Sequence, residues 1–156
     1  MSHKSLLVTI AAVVSMGLTP GVQTKKAVQV EGAVYKTPTC GCCSKWVDHM
    51  RQAGFKLTVT DMPQASLDNV KQKHAVPAAT HSCHTAVING YVVEGHVPAE
   101  QVRRLLEQKP RALGIAVPGM PLGSPGMEVS GIKPHPYDVL LIDKQGKTTV
   151  FATIKP

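Results

Sequence analysis

Hydrophobic residues recur along the chain with two different periods, and the order of these segments predicts a mixed α/β fold. Residues 30–36 and 55–60 predict strands, the second with alternating β-branched side chains. Between them, residues 43–53 place apolar side chains on one side of a predicted helix, which ends before a glycine. A second helix is predicted over residues 67–74, with Ser66 as its N-cap.

The next segments predict a hairpin, a third helix and a terminal hairpin. Residues 85–88 and 91–94 are rich in strand-forming residues and flank Asn89-Gly90, which favours a two-residue turn. Residues 99–108 predict a helix with Pro98 near its first turn. From residue 109, prolines and glycines are expected to break any regular element. Residues 137–143 and 148–154 then predict a hairpin that closes the chain.

These segments predict an α/β protein with a thioredoxin-like core and a C-terminal extension. The core is expected at residues 25–109, because thioredoxin-like folds place a proline ahead of the third strand and Val76-Pro77 is in that position. The extension, residues 110–156, is rich in proline, glycine and methionine and ends in the terminal hairpin. About 130 residues suit one domain with a modest core.

Residues 1–24 have the pattern of a secretory signal peptide. Lys4 supplies a basic start, residues 5–18 an apolar core and residues 20–24 a small-residue exit. The apolar run is shorter than the roughly 20 residues of a membrane span. We therefore expect an exported monomer with no stable membrane span after cleavage, and an uncleaved anchor is the alternative. The net charge of +7 comes from scattered basic residues, which with export argues against a nucleic-acid partner.

The candidate chemistry centres on Cys40-Gly41-Cys42-Cys43, which holds three of the four cysteines. This turn is predicted at a helix N-terminus, where unpaired N–H groups and the helix dipole favour thiolates. Cys40 and Cys43 form a Cys-x-x-Cys pair, typical of disulfide chemistry. The additional thiolate of Cys42 favours a soft metal, above all Cu(I). A structural disulfide or a zinc site is the alternative, and adjacent cysteines suit both poorly.

Further candidate ligands come from the second half of the chain. Cys83 precedes a predicted central strand and can fold back beside the first three cysteines. His84 and His96 adjoin elements expected to meet the cysteine turn. His135 lies between two prolines.

Met120 and Met127 complete two copies of Pro-Gly-Met in the extension. A thioether in a loop has no core to fill, and it is a soft ligand for Cu(I). The alternative is that both methionines cover a hydrophobic patch.

Four motifs carry a family resemblance: Cys-Gly-Cys-Cys at 40–43, Ser-Cys-His-Thr at 82–85, Tyr-Val-Val-Glu-Gly-His-Val-Pro at 91–98, and Pro-Gly-Met-Pro-Leu-Gly-Ser-Pro-Gly-Met at 118–127. In this order they resemble the CopG-like copper-resistance family of Gram-negative bacteria, from about residue 30 to the C-terminus. The resemblance implies a periplasmic thioredoxin-like protein whose extension helps to bind metal. It also implies a multinuclear copper cluster, interconversion of Cu(I) and Cu(II), and a role in detoxification and export.

Residue by residue, the resemblance implies that the bridging thiolates are Cys40, Cys42, Cys43 and Cys83. The extension would contribute Met120, Met127 and His135.

Three hypotheses follow for the function. The first is an exported copper-binding redox protein for copper resistance, with copper oxidoreductase activity left open. The second is a metal-free thiol–disulfide oxidoreductase, with Cys40 as nucleophile and Cys43 as resolving thiol. The third is a passive store or carrier that passes Cu(I) to an efflux system without redox chemistry.

Overall fold

The computed structural model describes residues 29–155, and the predicted signal peptide lies outside them. Within this range the protein has three α-helices, seven strands and a short 3-10 turn at Ala78–Thr80. The elements are β1 Glu31–Lys36, α1 Gly41–Gln52, β2 Lys56–Asp61, α2 Gln64–Lys73, β3 His84–Ile88, β4 Tyr91–Glu94, α3 Ala99–Gln108, β5 Ala112–Ala116, β6 Tyr137–Asp143 and β7 Thr148–Ile154. None of the helices in this range is long and apolar enough to cross a membrane.

All seven strands of the described range form one sheet in the order β2-β1-β3-β4-β5-β6-β7. β1 is parallel to β2 and antiparallel to β3, and β3 pairs with β4 as the predicted hairpin. Asn89 and Gly90 both have positive φ, 47° and 83°, as the primed turn of a two-residue hairpin requires. The antiparallel register sets Lys36, at the end of β1, opposite His84 at the start of β3. The residues that follow β1 and those that precede β3 therefore lie close together, at the same end of these two strands.

The first difference from the sequence prediction is β5, since regular structure was not expected between residue 109 and the terminal hairpin. β5 is parallel to β4 and antiparallel to β6, so the sheet continues across residue 110 into the terminal hairpin. Gly114 interrupts the apolar pattern of this short segment, yet it is the residue that allows β5 to pair with β4. A Cβ at this position would lie 1.9 Å from the carbonyl oxygen of Val92. Here glycine marks close approach of two backbones and not the end of an element.

The second difference lies at the start of α2. The helix begins at Gln64, after Pro63, and Ser66 is inside it. The carbonyl of Pro63 accepts hydrogen bonds from the backbone N–H groups of Ser66 and Leu67. The predicted cap at Ser66 is therefore wrong, because the proline already provides a helix start one turn earlier.

The helices bury their apolar faces against the sheet. α1 contributes Trp46, Val47 and Met50, and α3 contributes Val102 and Leu105. These side chains join one core cluster with residues of the sheet, including Val34, Ile88, Val93, Ile115 and Val139. This packing fixes the first turn of α1 over the end of β1 and the start of β3.

Candidate metal centre

The first turn of α1 presents the Cys-Gly-Cys-Cys motif. Cys40 is the N-cap residue, and its backbone N–H donates to the carbonyl of Thr37 at 3.1 Å. The helix start has no side-chain cap and no acidic residue in its first turn. Its free N–H groups and dipole therefore leave a positive potential beside the cysteines.

All four cysteine sulfurs lie within 4.8 Å of one another, and this group is the candidate metal centre. Cys40 and Cys43 are joined by a disulfide with their Cα atoms 5.3 Å apart. Cys42 and Cys83 are free, and the sulfur of Cys42 lies 3.6 Å from that of Cys40. The sulfur of Cys43 lies 3.7 Å from the carbonyl oxygen of Cys83. The antiparallel pairing of β1 and β3 thus brings Cys83 to the motif, as its place in the sequence predicts.

A second group shares Cys83 with the first and adds two buried histidines. The sulfur of Cys83 lies 2.9 Å from Nε2 of His96 and 3.5 Å from Nδ1 of His84. The ligand atoms of these three residues also lie within 4.8 Å of one another. Both imidazole side chains are fully buried. The structure therefore brings six of the nine predicted ligands together in two groups that share Cys83.

The two imidazoles are held differently. His96 donates its Nδ1–H to the carbonyl oxygen of Pro125 at 2.8 Å, since a carbonyl can only accept, and Nε2 then carries its lone pair toward Cys83. His84 packs 4.4 Å from the ring of Trp46, which is anchored by a 2.8 Å bond from its Nε1–H to the carbonyl of Val97. Within residues 29–155, Nε2 of His84 has no hydrogen-bond partner.

Burial keeps Cys83, His84 and His96 uncharged in the absence of metal. It lowers the pKa of both His84 and His96, and for His84 the neighbouring His96 and the positive charges of Lys71 and Lys36 lower the pKa further. Burial also raises the pKa of Cys83 to about 12, with the neighbouring Cys42 adding to the effect. Neutral imidazole is the form that binds metal, whereas the thiol of Cys83 must release its proton to do so.

A buried polar network holds the residues that flank Cys83 and His84. Glu94, with no exposed surface, accepts hydrogen bonds from the buried ammonium of Lys71 at 2.5 Å and from the backbone N–H of Ser82 at 2.7 Å. Its other oxygen accepts the hydroxyl of Thr85 at 2.7 Å. The carboxylate therefore holds the residues on both sides of the Cys83-His84 pair. This network was missed from the sequence, and its one signal is that Lys71 occupies an apolar position of α2.

The extension contacts the site through its backbone. Gly126 packs so closely on α1 that a Cβ would lie 2.6 Å from the carbonyl oxygen of Cys42 and 2.9 Å from the backbone nitrogen of Trp46. Gly119 accepts a hydrogen bond from the hydroxyl of Ser82, next to Cys83. Pro125, beside Gly126, holds His96. The role of this carbonyl was not predicted, because a backbone acceptor leaves no mark in the sequence.

The remaining predicted ligands lie on the extension. Met120 is 51% exposed and Met127 is partly buried, directly after Gly126. His135 is exposed, with its backbone N–H bonded to the carbonyl of Leu122 at 3.1 Å. It lies outside both metal-binding groups of the described residues.

Comparisons with known proteins identify relatives of this chain. Residues 80–127 match the family model described as "Protein of unknown function, DUF411". No curated protein matches the chain. The structure is similar to two solved structures of the copper resistance protein CopG, Form 2 and Form 1, with TM-scores of 0.73 and 0.75. Form 2 is 41% identical over 81% of this chain and 99% of that chain. Form 1 is 39% identical over 82% of this chain and 99% of that chain. The chain therefore belongs to the family of the copper resistance protein CopG.

Proposed function

We propose that this protein is an exported, periplasmic copper-resistance protein whose four cysteines bridge a multinuclear copper cluster. The observation that carries the proposal is the gathering of four cysteine sulfurs within 4.8 Å of one another. Thiolate sulfur is a soft ligand that selects Cu(I). Two sulfurs on adjacent residues, Cys42 and Cys43, suit bridging between neighbouring ions better than one tetrahedral zinc site.

Copper is here the substrate, and we propose that the protein interconverts Cu(I) and Cu(II). The histidines next to Cys83 support this part of the proposal, since imidazole nitrogen also suits Cu(II) whereas thiolate sulfur favours Cu(I). A mixed set of donors can hold the metal in both oxidation states. Pro125 and the surrounding apolar residues would tune the potential through the hydrogen bond to His96 and the exclusion of water.

The extension is proposed to supply further ligands and to exchange copper with an efflux system. Met120 is exposed, so its thioether can meet copper before the cysteine sulfurs, which are buried or partly buried, do. Met127 follows the glycine that packs on the cysteine turn. His135 would bind copper from the outer, exposed side of the extension. The order β1-α1-β2-α2-β3-β4-α3 supports a thioredoxin-like core, with residues 110–156 as the extension and a monomer as the working unit.

Replacing Cys42 tests the thiolate cluster. The reduced Cys42→Ser variant should bind fewer copper ions per chain than the wild type, because a bridging thiolate is lost while the fold is kept. The measurement is metal content together with free-thiol count on exported protein that was purified without chelator and loaded with copper anaerobically. Ser44→Ala, on the exposed side of the same helix turn, is the control and should keep full copper. Full copper in Cys42→Ser would contradict the proposal.

A metal-free thiol–disulfide oxidoreductase is the second candidate, and the Cys40–Cys43 disulfide at the start of α1 favours it. In that reaction the reduced pair would transfer its two electrons to a substrate disulfide, releasing two thiols and forming the Cys40–Cys43 bond. This candidate predicts reduction of insulin disulfides by the metal-free protein, with Met120 and Met127 dispensable. A protein that binds copper but is inactive on disulfides excludes it. Bound copper that cannot be cycled between oxidation states would indicate a passive store.

A further inference from the structure

We infer, on the basis of the proposed copper chemistry, that Cys83, His84 and His96 form a separate site for a single Cu(II) ion when Cys40 and Cys43 are joined as a disulfide. The redox state of the Cys40–Cys43 pair would then select which copper species the protein holds. The reduced protein would bind a Cu(I) cluster on four thiolates, and the disulfide form would bind one Cu(II).

The two groups of ligands share a single residue. Cys40, Cys42, Cys43 and Cys83 form one, and Cys83, His84 and His96 the other. Because the thiolate is the form of cysteine that binds metal, the disulfide removes Cys40 and Cys43 as ligands of the first group. It leaves all three ligands of the second group available, with Cys42 as a neighbouring free sulfur.

The distances in the second group suit one shared ion. A metal with bonds of about 2.3 Å to sulfur and about 2.0 Å to nitrogen, at an angle between tetrahedral and trigonal, separates the two ligand atoms by roughly 3.5–3.7 Å. The observed separation between the sulfur of Cys83 and Nδ1 of His84 is 3.5 Å. The separation to Nε2 of His96 is 2.9 Å, so binding requires this contact to lengthen by a fraction of an ångström.

The histidines are oriented before any metal binds. The carbonyl of Pro125 holds Nδ1 of His96 and leaves Nε2 facing Cys83. The ring of His84 is buried against Trp46, and its Nδ1 lies 3.5 Å from the sulfur of Cys83. Both imidazoles therefore present one nitrogen toward the same sulfur before any ion is bound.

The donor types distinguish the two oxidation states. One thiolate with two imidazoles is the donor set of trigonal Cu(II) sites in proteins, whereas clustered thiolates suit Cu(I). The fully buried side chains of His84 and His96 also exclude water from the ion. The disulfide form is therefore equipped for a mononuclear Cu(II) site and not for a cluster.

The test compares the reduced and disulfide forms of the exported protein, using Cu(II) and the redox-inert probe Co(II). The disulfide form should bind a single equivalent of metal and show a sulfur-to-metal charge-transfer band. With Cu(II), its electron paramagnetic resonance spectrum should show nitrogen couplings. Metal should also quench the fluorescence of the single tryptophan, Trp46, whose ring centre lies 4.4 Å from that of His84. His96→Gln should weaken binding at least about 100-fold, since loss of an outer partner alone costs 10–100-fold. His74→Gln, at the end of α2, is the matched control and should bind normally.

A variant that lacks the sulfurs of Cys40 and Cys43 tests the site without depending on the oxidation state of that pair. Cys40→Ser with Cys43→Ser should bind one Co(II) with the spectrum of the disulfide form. If the reduced protein binds several copper ions and the disulfide form binds none, the copper function stands and this site is refuted. If neither form binds copper, both proposals fail. Unchanged Co(II) spectra in folded His84→Gln and His96→Gln variants would also overturn the site.

Discussion

Glu94 is a carboxylate without exposed surface, and its partners lie on both sides of Cys83-His84. Its ion pair with Lys71 is equally buried, at 2% exposure for the lysine side chain. Removing two charges from water is costly, and the gain from pairing offsets this cost only when further hydrogen bonds satisfy the groups. Ser82 and Thr85 provide those bonds. The position of Cys83 therefore depends on a charge pair that also contributes to folding.

Replacing Glu94 by Gln should strongly destabilise the metal-free protein. Lys71 would be left as a buried charge without a counter-ion, and breaking such a pair costs about 3–5 kcal/mol. Urea unfolding measures the loss. Glu31→Gln is the matched control, because it removes the exposed ion pair with Lys56 and should change stability little. Combining Glu94→Gln with Lys71→Met should recover part of the stability, because the unpaired charge is removed. If Glu94→Gln alone were as stable as Glu31→Gln, the stabilising role of the buried ion pair would be contradicted.

His49 links α1 to α3 and makes stability depend on pH. Its Nε2 accepts a hydrogen bond from the backbone N–H of Ala99 at 3.0 Å, which requires an unprotonated nitrogen. Burial lowers the pKa of His49 below 6.5, with Glu128 opposing the shift. Between the lowered pKa and 6.5 the unfolded chain binds more protons than the folded protein. The stabilisation is therefore present above pH 6.5 and is lost as the pH falls through the folded pKa.

We expect the unfolding free energy of the metal-free protein to decrease from pH 7.5 toward pH 5. His49→Gln, which keeps an acceptor for Ala99 but does not titrate, should reduce this dependence. Urea unfolding at several pH values measures it. A slope that is unchanged in His49→Gln would show that other groups cause it, with the buried His84 and His96 as the first to examine.

At the scale of elements, the segment 124–126 of the extension joins α1 to His96. Gly126 has φ +88° and lies against Cys42 and Trp46, while the carbonyl of Pro125 holds the imidazole of His96. Ser124 and Pro125 are buried with it. The extension therefore shapes the site through packing and one backbone acceptor, in addition to any ligand that its methionines supply.

Gly126→Ala should separate this segment from α1. The added Cβ would lie 2.6 Å from the carbonyl oxygen of Cys42, so the backbone must shift, which typically costs about 1–3 kcal/mol. Gly131→Ala is the matched control, since its φ of +77° gives a similar conformational strain with nothing within 4 Å of the new atom. Urea unfolding of both variants isolates the packing effect. Equal losses in the two would contradict the proposed contact.

The sequence predicted the elements with strong local signals and missed those that depend on distant contacts. Asn89-Gly90 identified its hairpin because both residues readily adopt positive φ. β5 was missed because Gly114 resembles a breaker until the neighbouring Val92 is known. The gathering of the cysteines followed from strand order alone. The pair of Lys71 and Glu94 could not be predicted, since no periodic pattern links residues that are 23 positions apart.

At the scale of the whole molecule, one sheet carries both the predicted core and the predicted extension. β5 pairs with β4, and β6 and β7 continue the sheet beyond it. The residues between β5 and β6 return across the sheet edge to α1 and His96. The extension therefore covers the cysteine turn, where Cys43 is buried and Cys40 and Cys42 are partly buried.

X-ray absorption at the copper edge tests the central claim, that the four cysteines bridge several copper ions. The sample is the reduced, exported protein loaded with Cu(I) under anaerobic conditions. We predict coordination dominated by sulfur with a copper–copper contribution at short distance, because thiolates shared between ions hold those ions close together. Isolated copper ions bound mainly by nitrogen or oxygen, without a copper neighbour, would contradict the claim.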